Sequence, residues 1–166
     1  FAGTNANINV TTLNNQQGTI YAKNQIDLTA GQLNNQQGQL YSAGLANVTV
    51  QGDVQNQKGV IVAGQNLNVQ SNTLDNTEGT LRSENADLTV HTQGQLINQQ
   101  GDIYAGQNLS LTNNGLVNKA GQIASQNKLS IDTQQQQLSN QNGKIIAKTV
   151  DLTTGALDNQ TGLIQA

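Results

Sequence analysis

The sequence predicts an all-β protein: a right-handed parallel β-helix (a solenoid) of about eight coils of roughly 20 residues, with three short strands in each coil. Three observations predict it. The stretch LNNQQGTIYA at residues 13–22 returns almost unchanged as LNNQQGQLYS at residues 33–42. Apolar and polar residues alternate with period two throughout, and no helical period is sustained. Changes in repeat length fall in polar arcs, where an outer corner can absorb them.

The first strand of each coil opens on an aliphatic residue: Leu13, Leu33, Val54, Leu74, Leu96, Leu116, Leu138 and Leu157. Two places on stands an asparagine: Asn15, Asn35, Asn56, Asn76, Asn98, Asn118, Asn140 and Asn159. Three further on comes an anchor glycine: Gly18, Gly38, Gly59, Gly79, Gly101, Gly121, Gly143 and Gly162, spaced 19 to 22 residues apart. The middle strand follows, with Ile20, Leu40, Ile61, Leu81, Ile103, Ile123, Ile145 and Ile164 two places after the glycine. Four places after it only Ala or Ser occurs, where a bend leaves no room for a larger side chain.

A closing strand supplies an alternating pair: Ile26 and Leu28, Leu67 and Val69, Leu109 and Leu111, Leu129 and Ile131, with Ala46, Val48 and Val50 in the second coil. The spacing places this pair one residue early in the fourth and seventh coils, at Leu88 with Val90 and at Val150 with Leu152. Extra residues fall at 91–95 and 133–137, outside the strands. Stacked parallel strands at about 4.8 Å make a rod about 35–40 Å long, and the preferred hand of parallel crossovers makes the coil right-handed. The few aliphatic side chains of one coil cannot offset the ordering of its backbone, so each coil depends on its neighbours.

The asparagines predict an internal ladder, in which amides at the same corner of successive coils pass hydrogen bonds along the axis. A row of ligand-binding amides is the alternative, and the ladder is preferred because buried polar groups are nearly always paired. The anchor glycine is expected to be a left-handed corner residue.

Composition narrows the function. Asn and Gln make up about 30% of the 166 residues and aromatics 2%, a bias that suggests disorder. The absence of Pro, the low charge and the ample aliphatics argue against it. A net charge of −3, with Lys23, Lys58, Arg82, Lys119, Lys128, Lys144 and Lys148 scattered, gives no reason to bind nucleic acid or anionic lipid. No cysteine is present, so neither disulfides nor thiolate metal sites form. No apolar run suffices for membrane insertion, and no export signal opens the chain, so any such signal is expected outside it.

No catalytic, metal or cofactor-binding residues are predicted. His91 is the only histidine and is placed on a variable outer arc without a second ligand. Asp27, Asp53, Asp75, Asp87, Asp102, Asp132, Asp151, Asp158, Glu78 and Glu84 never repeat at one position in adjacent coils, and a polysaccharide-cleaving site needs two carboxylates converging within about 5–10 Å. Neither a calcium-roll nonapeptide nor the strand-to-helix setting of a nucleotide loop is found. One outer column is less bland. The residues three past each anchor, Tyr21, Tyr41, Val62, Arg82, Tyr104, Ala124, Ile146 and Gln165, hold every tyrosine. Aromatic and β-branched residues suit exposed strands. The same row, with Tyr21, Tyr41, Val62, Tyr104 and Ile146 as its apolar members, is also a possible contact stripe.

The register LxNxxGxIxA…LxL, as in LNNQQGTIYAKNQIDL and LINQQGDIYAGQNLSL, resembles the haemagglutinin-type repeats of filamentous haemagglutinin. Such repeats recur in the large exoproteins of two-partner secretion, including contact-dependent growth inhibition effectors of the CdiA type. The resemblance covers essentially the whole chain. It implies a Gram-negative surface protein exported unfolded through an outer-membrane two-partner-secretion transporter, which regions outside this segment would engage. Folded outside, it would form an outer-membrane-anchored filament. Residues 1–166 are then one β-helix segment of a longer filament, and neither end carries the polar cap a solenoid needs. Three functions follow: a non-enzymatic shaft presenting a receptor-binding or toxin module, an adhesin segment whose lateral face binds a cell-surface receptor or glycan, and, with least support, a polysaccharide-active enzyme.

Overall fold

The chain forms 21 strands joined in one sheet, with all pairings parallel and no helix, in a computed structural model that describes residues 2–166. Position 1 of the predicted segment lies outside the described residues. The third turn shows the plan: a first strand Val54–Gln55, a middle strand Val60–Ala63 and a closing strand Leu67–Ser71. The fourth repeats it with Leu74–Asp75, Thr80–Ser83 and Leu88–Thr92. At the N-terminal end, Ala2–Asn14 and Thr19–Asn34 run unbroken through places that are corners in later turns.

Each apolar column predicted from spacing is a stack in the register. Ile20, Leu40, Ile61, Leu81, Ile103, Ile123 and Ile145 follow one another along the axis, all buried. Leu33, Val54, Leu74, Leu96, Leu116 and Leu138 form the column of the first strand. Ile26, Ala46, Leu67, Leu88, Leu109, Leu129 and Val150 form one of the closing strand. Burying such a side chain is worth about 1.5–3 kcal/mol, and each lies between identical or similar residues above and below, so the turns stabilise one another.

One detail of the closing strand differs from the spacing argument. Leu88 pairs with Leu67 and Leu109, which sets it one place later than usual after its anchor glycine, not earlier. The residue added before Leu88 lengthens the corner and leaves the inward register intact, because a slip within the strand would turn its apolar side chains outward. Val150 does come one place early, and its corner is shorter. In the first turn Ala6 and Ile8 align with Ile26 and Leu28, so Val10 takes the third inward place beside Ala30.

The anchor glycines are not left-handed. That conformation belongs to the residue before each of them: Gln17, Gln37, Lys58, Glu78, Gln100, Ala120, Asn142 and Thr161, with φ of 53° to 56°. These occupy the third place of a four-residue turn closed by the glycine N–H, as where Gly18 donates to the Asn15 carbonyl at 2.9 Å. Glycine is required by crowding instead. A Cβ on Gly101 would lie 2.5 Å from Asn98 Oδ1 and closer still to the carbonyl oxygen of Asn76 in the turn before.

Candidate functional site

The turn just described aims the asparagine side chain inward, beside the backbone of the next turn. Asn15, Asn35, Asn56, Asn76, Asn98, Asn118 and Asn140 each donate from Nδ2 to Oδ1 of the asparagine in the following turn at 2.7–2.8 Å. The last acceptor is Asn159. Each Nδ2 also reaches two carbonyls. For Asn56 they are Gly59 in its own turn at 3.3 Å and Thr80 in the next at 3.2 Å. From Asn35 to Asn140 these amides are fully buried. Their polar atoms are committed to the protein, so the row offers no free ligand-binding amides. Every rung donates in the same direction, toward the later turn.

A second inward polar column went unnoticed in the spacing. The alternation of the closing strand runs one place further than the pair, to Ala30, Val50, Ser71, Thr92, Asn113, Thr133 and Thr154. It begins apolar and turns polar along the axis. Thr92 and Thr133 are fully buried and donate to the carbonyls of Gly94 and Gln136, each at 2.7 Å. Ser71 Oγ and both polar atoms of Asn113 are buried without a partner. The signal for this column was present in the strict period-two spacing, since Val50 already occupied it.

The lateral stripe is continuous. The rings of Tyr21 and Tyr41 stack with centroids 5.5 Å apart and planes 5° from parallel. The Arg82 guanidinium sits 4.2 Å from the centroid of Tyr104, whose hydroxyl accepts a hydrogen bond from Gln126 Nε2 at 2.8 Å. Val62, paired in register with Tyr41 and Arg82, is buried, so it does not present an apolar contact surface as its place in the column suggested. Ile146 is half-buried at the far end. The facing surfaces of Tyr21 and Tyr41 cover each other, and one face of Tyr104 is covered by Arg82. A sugar needs an uncovered aromatic face to stack on, and one face of each of these three rings is closed to it.

The ionisable groups are spread along the rod, and among the described residues no three of His, Asp and Glu gather as a metal site. His91 lies in the strand Leu88–Thr92, not on an outer arc, and points outward in register between Gln70 and Thr112. Most acids serve local structure. Asp75 Oδ1 accepts from the Thr77 backbone N–H at 3.0 Å and Asp158 Oδ1 from that of Gln160 at 3.2 Å, both short side-chain turns. Asp27 accepts from Asn47, which accepts from Asn68, a short outer ladder running against the inner one. Glu78 pairs with Lys58 at 3.6 Å and Asp151 with Lys128 at 2.7 Å.

Two acids titrate away from the usual range, in opposite directions. Asp53 is lowered, first by the Thr73 hydroxyl at 2.7 Å; desolvation opposes this, and the Asn72 amide at 3.0 Å lowers it further. Asp102 is raised because it is partly buried, with Oδ1 lacking any partner, and Arg82 offsets this only in part. A single raised carboxylate without a second acid beside it is not an acid–base pair.

Comparison with known proteins agrees with this architecture. The family described as Haemagglutinin repeat matches residues 2–58, 56–130, 87–142 and 135–166. Neither a curated protein nor a solved structure matches the chain significantly. A parallel solenoid built from these repeats, a kind found in secreted surface proteins, is a structural, adhesin-type segment. With matches running from residue 2 to residue 166 over the repeat register set out above, the chain belongs to the haemagglutinin-repeat family.

Proposed function

We propose that this chain is a non-enzymatic shaft segment of a large secreted exoprotein, one that holds a receptor-binding or toxin module away from the producing cell. The single observation that carries the reading is the unbroken inner row from Asn15 to Asn159, which together with the apolar columns ties every turn to the next. The shaft would be one slice of a longer filament, exported by a Gram-negative cell through an outer-membrane two-partner-secretion transporter and anchored at that membrane. Contact-dependent growth inhibition is one use of such an arrangement. Polysaccharide cleavage is disfavoured by the dispersal of the acids. A glycan array, a host-receptor binding screen and a panel of polysaccharide hydrolase and lyase assays test the proposal on the folded segment. Silence in all three is expected, and specific binding or turnover would overturn it.

The half-exposed tyrosine edges favour one second reading, in which the lateral face itself contacts a receptor or glycan. Replacing Tyr21, Tyr41 and Tyr104 by Ser separates the two. A shaft keeps the cell binding of its parent filament unchanged, whereas an adhesive face loses it while the rod remains folded.

A further inference from the structure

The chain contains two Asn-Gly pairs, 114–115 and 142–143, which are chemically alike but held very differently. We propose that Asn114 is a site of spontaneous self-modification, a deamidation that its counterpart Asn142 is protected from. In the reaction the backbone nitrogen of Gly115 attacks Cγ of Asn114. The new N–Cγ bond closes a five-membered succinimide, the Cγ–Nδ2 bond breaks, and the side-chain nitrogen leaves as ammonia with the proton from the Gly115 amide. Water then opens the ring at either carbonyl, leaving an aspartyl or isoaspartyl residue at position 114. No oxidant, reductant or enzyme is needed, and glycine favours the attack because it has no side chain to hinder the nitrogen.

Geometry separates the two sites. Asn114 is exposed, and among the described residues neither its side-chain amide nor the Gly115 N–H is engaged in a hydrogen bond. Gly115 is buried but not crowded: a Cβ there would meet nothing nearer than Gln136 Cβ at 3.7 Å. At the other site the Gly143 N–H donates to the Asn140 carbonyl at 3.0 Å, and the Asn142 side-chain oxygen accepts from the Thr161 hydroxyl at 2.6 Å. Gly143 is buried against Asn140 Oδ1 and the Asn118 backbone, so the ring cannot close unless the turn opens.

Position 114 also lies where the fold tolerates the product. The isoaspartyl form adds one atom to the main chain, in the corner that already differs in length between turns, at 93–95, 114–115 and 134–137. The modified rod stays stacked and gains negative charge at an exposed corner as it ages.

The test is to incubate the folded protein in mildly alkaline buffer and follow both positions by peptide mass spectrometry with enzymatic isoaspartate labelling. A parallel sample in denaturing urea serves as the reference. Position 114 is expected to convert at least about tenfold faster than 142 in the folded protein, and the two at similar rates in urea, because protection by local structure disappears on unfolding. Asn114→Gln, which cannot easily close the ring, is expected to abolish the folded-state signal. Equal conversion at both sites in the folded protein would overturn the proposal. So would an intact Asn114 under conditions where urea converts it.

Discussion

The Nδ2 of Asn76 lies 2.7 Å from Oδ1 of Asn98 and also faces the carbonyls of Gly79 and Asp102, at 3.2 and 3.4 Å. In the other direction Asn76 Oδ1 accepts from Asn56. Only a side chain with both an acceptor and two donor hydrogens on one branch serves all these partners.

It follows that Asn76→Asp is far worse than its small change of shape suggests. A carboxylate keeps the acceptor for Asn56 but turns a negative charge toward three oxygens in a buried place. The expected loss is roughly 3–5 kcal/mol at neutral pH, as for a buried charge without a partner. Burial and the facing oxygens raise the pKa of that new carboxyl in the fold, so stability falls as pH rises through the carboxylate range and recovers in acid. Urea melts at neutral and acidic pH check it; a loss independent of pH would contradict the account.

The two kinds of special backbone position make opposite predictions. Gly101→Ala forces a methyl into Asn98 Oδ1 and the Asn76 carbonyl, and is expected to cost about 3 kcal/mol or more. Ala120→Asn, at φ 53°, puts a residue that tolerates the left-handed region where alanine is strained, and should gain up to about 1 kcal/mol. Thermal melts of both variants decide, and a tolerated alanine at Gly101 would refute the crowding argument.

Asn113 is a repairable defect. Its amide is buried with no partner, while Thr92 and Thr133 in the same column satisfy themselves on nearby carbonyls. Asn113→Thr should therefore stabilise the rod by about 1–3 kcal/mol, the desolvation penalty of an unmade hydrogen bond. Unfolding midpoints in urea provide the measurement, with no change in slope expected.

Asp53 and Asp102 pull the pH dependence apart. Asp53, whose folded pKa is lowered, contributes stability that is present above the ordinary carboxylate value and is lost as pH falls through the lowered one. Asp102, whose folded pKa is raised, behaves inversely: its ionisation costs stability as pH climbs past the ordinary value, and the cost vanishes below it. At neutral pH Asp102→Asn should stabilise and Asp53→Asn should destabilise, with both differences shrinking in acid. Denaturation curves of the two variants across the acidic range test the signs.

The sequence exposed whatever recurs at fixed spacing, and less of what depends on compensation between neighbours. The column of Ile20, Leu40 and Ile61 was legible because each must face the same core. The late arrival of Leu88 was countable as well, nine places after Gly79 where Leu67 stands eight after Gly59, but only the pairing of Leu88 with Leu67 and Leu109 fixes which residues share the column. Glycine's freedom of φ drew attention to the anchors, although Gln17 and its equivalents carry the left-handed bend and the anchors yield to close contact. For the lateral row, position was readable but accessibility was not. Whether Val62 shows or hides depends on the bulk of Tyr41 and Arg82 in the neighbouring turns.

Because the inner amides all point one way, the two surfaces made by parting the rod between any two turns differ at the asparagine corner. There one bears a bare side-chain N–H and the other a bare oxygen. Two lengths of such a filament can therefore continue one another in a single orientation only, and a reversed segment would meet its neighbour donor to donor or acceptor to acceptor.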